Sequence, residues 1–142
     1  RSGSLPTGDL IRMCFSGRYS ENEVLEMVTL KGGLKAYLGT TNFSAIEKRI
    51  ADGDKHAEFI IYAMAYQVAK EIGAMCTVLD GKPDMIILSG DLFQYSLFAN
   101  ILIQKIEKIS SVTVYPNEDE IDALAQNAIG VMKGEIEVLE YK

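Results

Sequence analysis

Cysteine occurs twice in the 142 residues, histidine once, and basic residues fall short of acidic ones. Each shortage excludes a class of function. Cys14 and Cys76 are isolated thiols without metal-ligand spacing, so neither a zinc site nor a disulfide framework is expected. They read as two small buried hydrophobes in a chain suited to a reducing cytoplasm. His56 sits beside Lys55 and Glu58 and reads as a solvated surface residue rather than a catalytic base. No serine or cysteine nucleophile stands in a motif that supplies a base. The formal net charge is −6, and the basic residues are scattered apart from Lys48-Arg49. No basic stripe is available to displace counterions from DNA or RNA. An anionic ligand would have to be met by backbone amides or a metal. Uncharged runs such as Phe59 to Ala69 are too short to span a bilayer, and no signal peptide is recognisable. The chain opens on Arg1 rather than methionine, as expected of a piece of a longer polypeptide.

What is present is a hydrophobic fraction of 48%, enough for one ordinary domain, 1–142, with a core. Leu5-Pro6-Thr7-Gly8-Asp9 reads as a turn into a short helix through Leu10–Phe15. Ser20 and Glu23 have capping-box spacing ahead of Val24, Leu25 and Val28, and Lys31-Gly32-Gly33 ends that helix. Tyr37 to Asn42 reads as a small-polar loop. Ser44 with Glu47 repeats the capping-box spacing, and Asp52-Gly53 closes the helix. A long helix follows, from about Asp54 to Leu79; its middle carries no charge on any face, which predicts burial all round. Met85 to Leu88 is a continuous apolar run, as in a fully buried parallel strand. A helix from about Ser96 to Ile109, a strand Val112 to Tyr115 and a helix from Asn117 to about Lys133 come next. Strand, helix, strand, helix implies a right-handed parallel crossover, hence an α/β fold. The tail, Glu135 to Tyr141, alternates apolar and acidic residues like an edge strand.

Three places could carry chemistry. Ser89-Gly90-Asp91 follows a strand; ligands of open parallel sheets bind beyond the strands' carboxyl ends, and a glycine there admits a nucleotide close to the backbone. A glycine after a strand is common, so the pattern is weak by itself. Gly39-Thr40-Thr41-Asn42 offers hydroxyl and amide donors before a helix, or does no more than cap that helix. Glu118-Asp119-Glu120 complements a helix dipole, or supplies a carboxylate to a hydrated Mg²⁺.

The segment Arg1-Ser2-Gly3-Ser4-Leu5-Pro6-Thr7-Gly8-Asp9-Leu10 resembles the one that opens the second half of butyrate kinases, in the acetate/butyrate kinase family of actin-like ATPases. Cys14 to Gly17, Gly32 to Leu34, Tyr37 to Thr40, Ala63 to Ala74, Tyr115-Pro116 and Ala123 to Ala125 are similar too. The resemblance implies an actin-like (ribonuclease H-like) lobe: a central sheet with parallel strands, flanking helices and a long buried central helix. It implies the C-terminal lobe of a two-lobe kinase, lacking the N-terminal lobe, that uses ATP/ADP and Mg²⁺ to phosphorylate a short-chain fatty acid. Arg1 matches the arginine that steadies the transferring phosphoryl group. Gly39, Thr40, Thr41, Asn42 and Ser44 match a loop that reaches the nucleotide, and Gly90, Asp91 and Leu92 match the adenosine-binding turn. Glu118 or Glu120 matches the acidic position near the metal. A cytoplasmic homo-oligomer is implied, with no nucleic-acid or membrane partner.

The chain departs from the family at three of these positions. Asp91 stands where a second glycine is usual, and Asn42 and Ser44 stand where an aspartate and an arginine are usual. A carboxylate about 6 Å from a phosphate costs about 3 kcal/mol before screening, at an effective dielectric near 20, or roughly a hundredfold in affinity. Two functions therefore compete. One is the nucleotide lobe of a working kinase; the other is a diverged, non-catalytic lobe kept for nucleotide binding or assembly. A third, an actin-like kinase for a sugar or another acid, fits the Ala63 to Ala74 stretch less well.

Overall fold

The computed structural model describes residues 4–116 and 120–138. Seven helices and two strands are found there: α1 (Thr7–Cys14), α2 (Glu21–Thr29), α3 (Leu34–Leu38), α4 (Phe43–Ala51), α5 (Lys55–Val78), β1 (Ile86–Ser89), α6 (Ser96–Ile106), β2 (Val112–Tyr115) and α7 (Glu120–Met132), with a 3₁₀ turn at Asp91–Gln94. The chain forms two compact units that divide inside α5, after Ile61.

The first unit is helical. The α2 capping box forms as the sequence predicts: Ser20 Oγ accepts from Glu23 N, and Glu23 Oε2 accepts from Ser20 N at 2.7 Å. That satisfies two amides the helix leaves without partners. The next capping-box reading is corrected. The α4 cap is Asn42, whose Oδ1 accepts from Ala45 N at 3.1 Å, so the helix starts earlier than the Ser44–Glu47 spacing suggested. Starting at Phe43 puts Phe43 and Ile46 in the core, three residues apart on one face. Tyr37 and Leu38, expected in a loop, instead complete the short α3. Leu38, Ala57 and Ile61 are the unit's other buried apolar residues, whereas Cys14, expected to be buried, is exposed.

The second unit holds the sheet, two parallel strands among the described residues, in the register Ile86↔Val112 through Ser89↔Tyr115. The chain crosses from β1 to β2 through the 3₁₀ turn and α6. Phe98, Ala99, Leu102 and Ile106 are buried at helical spacing on α6. Burying each of the large ones stabilises the unit by about 1.5–3 kcal/mol. β1 is half-buried rather than fully buried: Ile86 and Leu88 face inward while Ile87 is 61% exposed. An unbroken apolar run cannot distinguish the two cases, because only the opposite face's cover decides.

Helix α5 spans almost the predicted range but is not buried all round. Ala57, Ile61 and Ala65 make a buried stripe, while Phe59, Tyr62 and Tyr66 are half exposed or more. Lack of charge makes burial inexpensive but supplies no covering surface. The expected edge strand after α7 is also absent from 135–138. Gly134, at φ 74°, turns the chain back so that the amides of Glu135 and Ile136 donate to Gly130 O. The Ile136 side chain then packs over Gly130, where a Cβ would lie 2.6 Å from its Cδ1.

Candidate functional site

The predicted site residues fall on both units. In the first unit, Gly39 ends α3 in the left-handed conformation, φ 74°, and begins the turn. Thr40 Oγ1 accepts from Asn42 N at 3.1 Å, and Asn42 caps α4. A hydroxyl that accepts a bond keeps its proton to donate, so Thr40 can still serve a ribose or phosphate oxygen. Gly39, Thr41, Asn42 and Ser44 are exposed. Asn42 caps with a carboxamide oxygen, as an aspartate would with a carboxylate. Asparagine and aspartate therefore give this turn the same shape.

Three further residues hold this turn. Lys35 Nζ donates to Gly39 O at 3.0 Å, and Arg49 Nη1 donates to Leu38 O at 2.9 Å. The same guanidinium grips Asp54 with two nitrogens, Nε at 2.9 Å and Nη2 at 2.7 Å. Asp54 in turn caps α5, with Oδ1 accepting from Ala57 N at 2.9 Å. The Ala57 amide, and after it Arg49, holds the Asp54 carboxyl below its ordinary pKa of 3.8. Sequence reasoning missed Lys35 and Arg49. Arg49 bonds a carbonyl eleven residues back, and no local pattern encodes that contact.

In the second unit, β1 delivers Gly90 at φ 102°, ψ 169°, a conformation open essentially only to glycine. Its amide donates to Tyr115 O at 3.4 Å, and its carbonyl accepts from Phe93 N at 3.0 Å, closing the 3₁₀ turn. A Cβ built at Gly90 would meet nothing within 4 Å. Steric crowding is therefore not what demands glycine; the backbone path is, and the space beside it can admit a ligand. Asp91 is exposed and Leu92 half-buried.

Because the strands are parallel and Ser89 pairs with Tyr115, β2 ends at the same edge of the sheet as the Gly90 turn. Pro116 follows β2 directly and is the last described residue before the acidic segment. Glu118 lies outside the described residues, as do Asn117 and Asp119; Glu120 is the first residue of α7, and only its backbone is described. Arg1 also lies outside the described residues. Among the described residues no group of three or more His, Cys, Asp or Glu side chains could hold a metal ion. No helix among them is long and apolar enough to cross a membrane.

The profile of the Acetokinase family matches residues 1–130. Over 142 residues the chain is 46% identical to a protein named butyrate kinase 2 from Clostridium acetobutylicum, covering 100% of this chain and 40% of that protein. It is 44% identical to a probable butyrate kinase from Bacteroides thetaiotaomicron, with the same coverage of 100% and 40%. The chain thus spans about 40% of the length of these curated relatives. The crystal structure of Porphyromonas gingivalis acetate kinase shares the fold, with a TM-score of 0.79 at 18% identity over 93% of this chain and 39% of that one.

Proposed function

The chain belongs to the acetokinase family, and on that premise we propose that residues 1–142 serve as the C-terminal, nucleotide-binding lobe of a carboxylate kinase. The reaction transfers the γ-phosphoryl group of ATP to butyrate or a related short or branched-chain fatty acid. A carboxylate oxygen forms a bond to the γ-phosphorus; the bond to the bridging oxygen breaks, and its electron pair leaves with ADP. No proton need move, so the protein's work is positioning and charge neutralisation. Similarity along the whole chain to proteins named butyrate kinase carries this reading.

Gly90, Asp91 and Leu92 would receive adenosine, and the glycine's open side supports that role. Gly39, Thr40, Thr41, Asn42 and Ser44 would contact the nucleotide through hydroxyl and amide donors. Arg1 would steady the transferring group. Magnesium takes one or two carboxylates plus phosphate oxygens, and Glu118 and Glu120 carry that donor chemistry. Glu118 or Glu120 would hold the ion, which would supply neutralisation of phosphate charge. The proposal extends to a cytoplasmic homo-oligomer; light scattering tests the second part.

Acyl phosphate formation by the complete polypeptide, trapped with hydroxylamine, is the direct assay. Product dependent on ATP, Mg²⁺ and butyrate is expected, and folded protein that makes none overturns the reading. The exposed carboxylate of Asp91, one residue past Gly90, favours a second reading: a diverged lobe without catalysis. Kept for assembly alone, such a lobe shows no melting-temperature shift with Mg-ADP until Asp91→Gly, Asn42→Asp and Ser44→Arg are introduced together. Saturable Mg-ADP binding by the unmodified protein excludes a lobe kept for assembly alone, and acyl phosphate formation excludes a non-catalytic lobe of either kind.

A further inference from the structure

We propose that Arg49 is a positioning residue for the nucleotide, acting through the Gly39–Asn42 turn; this rests on the kinase reading above. Arg49 holds two partners at once. Its side chain lies on α4 and is 39% exposed, yet three of its nitrogens are committed: Nη1 to Leu38 O, Nε and Nη2 to Asp54. A guanidinium's donors lie in one rigid plane, so fixing two of them on Asp54 also fixes where the third points. Asp54 is itself immobilised because it caps α5 through the Ala57 amide. The carbonyl before Gly39 is therefore tied to the start of the 24-residue helix by a planar brace.

The same peptide has one further bond, from the Gly39 amide to Lys35 O at 3.1 Å, which closes α3 but leaves the carbonyl side to Arg49. Leu38 is buried, but Gly39 is exposed and nothing lies within 4 Å of a Cβ built on it. Glycine is the residue with the widest backbone freedom. A glycine at φ 74° between a buried leucine and a capped helix holds its conformation only if the peptides on either side are held. Arg49 takes the carbonyl of the preceding peptide, and Lys35 takes the carbonyl of Gly39 itself. The Lys35 contact is a single donor on a flexible stem, whereas the Arg49 contact is shared with a fixed acid. Arg49 thus sets the donors of Thr40 and Thr41 in place without touching the nucleotide.

The test uses the complete polypeptide, with Mg-ADP affinity by calorimetry and separate KM values for ATP and butyrate. Arg49→Gln is expected to weaken Mg-ADP and raise KM for ATP about tenfold, well short of the roughly hundredfold that a 1 Å misplacement can cost. The KM for butyrate should stay unchanged. Arg49→Lys, which keeps the charge but cannot span both partners, should resemble Arg49→Gln. Asp54→Asn, which keeps the cap but weakens the grip on Arg49, should give a smaller loss in the same direction. Ile46→Val, a core change in the same unit, controls for lost stability and should leave nucleotide affinity unaltered.

Folded Arg49→Gln protein with wild-type Mg-ADP affinity overturns the inference while leaving the kinase reading standing. So does a loss that falls equally on butyrate, or one that Ile46→Val reproduces. Wild-type protein that binds no Mg-ADP overturns both.

Discussion

The two candidate turns are held by different kinds of bond. The turn at 39–42 is shaped by side chains: Lys35 and Arg49 take its carbonyls, Thr40 takes an amide, and Asn42 caps the helix that follows. The turn at Gly90 is shaped by backbone: a glycine-only conformation, a sheet-like bond to Tyr115 and a 3₁₀ turn closed on Phe93. A side-chain-held turn can be loosened by many substitutions and by pH, whereas a backbone-held turn is vulnerable at one position. Tolerance at one turn consequently says nothing about tolerance at the other.

Adding a Cβ should separate them most clearly. Gly90→Ala places an L-residue at φ 102°, ψ 169°, and should lower stability by about 1–3 kcal/mol in urea unfolding. Because nothing lies within 4 Å of the new Cβ, the whole cost is backbone strain, and Gly90→Asn should fare no better. Gly39, at φ 74°, ψ −5°, is an ordinary left-handed helix end. There alanine should cost about 1 kcal/mol and asparagine less, because asparagine visits this region readily. Equal costs for Asn at the two positions would erase the distinction.

The cap comes next in size. Asn42→Ala removes the bond to Ala45 N and should cost about 1 kcal/mol of stability, while Asn42→Asp should be nearly neutral. Thermal melts of the pair would show this. A large stabilisation by Asn42→Asp would mean that the amide is strained as a cap and that the side-chain account of this turn is incomplete.

How much of this could be read from the sequence follows from the range of each interaction. The Ser20–Glu23 box, the stop at Gly53 and the strand Val112–Tyr115 are local, and the sequence names them. So is the glycine after β1, although its φ could not be foreseen. The α4 cap is ambiguous in the sequence because Asn42 and Ser44 both suit an N-cap, and only the burial of Phe43 and Ile46 chooses between them. The exposed face of α5 is not legible, because an apolar sequence records what a surface tolerates, not what covers it. In place of burial, Tyr62 lies under the Lys105 ammonium, 4.2 Å from its ring centroid, and accepts a 2.9 Å bond from it. Arg49 stayed hidden because its partners lie eleven residues before it and five after, with no shared periodicity. The residues alone offer Gly39–Asn42 either as donors or as a mere cap, and the family resemblance favours the first.

The smallest effect expected is the response to acid, and it sharpens the same contrast. Glu23 is held below its ordinary pKa of 4.5, first by the Ser20 amide and then by the Ser20 hydroxyl. Asp54 is held below 3.8, first by the Ala57 amide and then by Arg49. A carboxyl with a lower pKa in the folded state binds fewer protons folded than unfolded. Its contribution is full above the ordinary value and fades as pH falls through the lowered one. Both groups lie in the first unit, at the starts of α2 and α5, and Asp54 also anchors the Arg49 brace. Lowering the pH below about 4 should therefore loosen the 39–42 turn before it disturbs the Gly90 turn, whose bonds are peptide to peptide. Hydrogen exchange followed by mass spectrometry is the measurement. Amides at 21–24 and 55–58 should lose protection before those of β1 and β2. Asp54→Asn, which keeps a capping oxygen but cannot titrate, should remove the pH dependence at 55–58 and leave that at 21–24. Simultaneous loss in both units would mean that the turns share one cooperative transition, and that the difference in how they are bonded does not reach their stability.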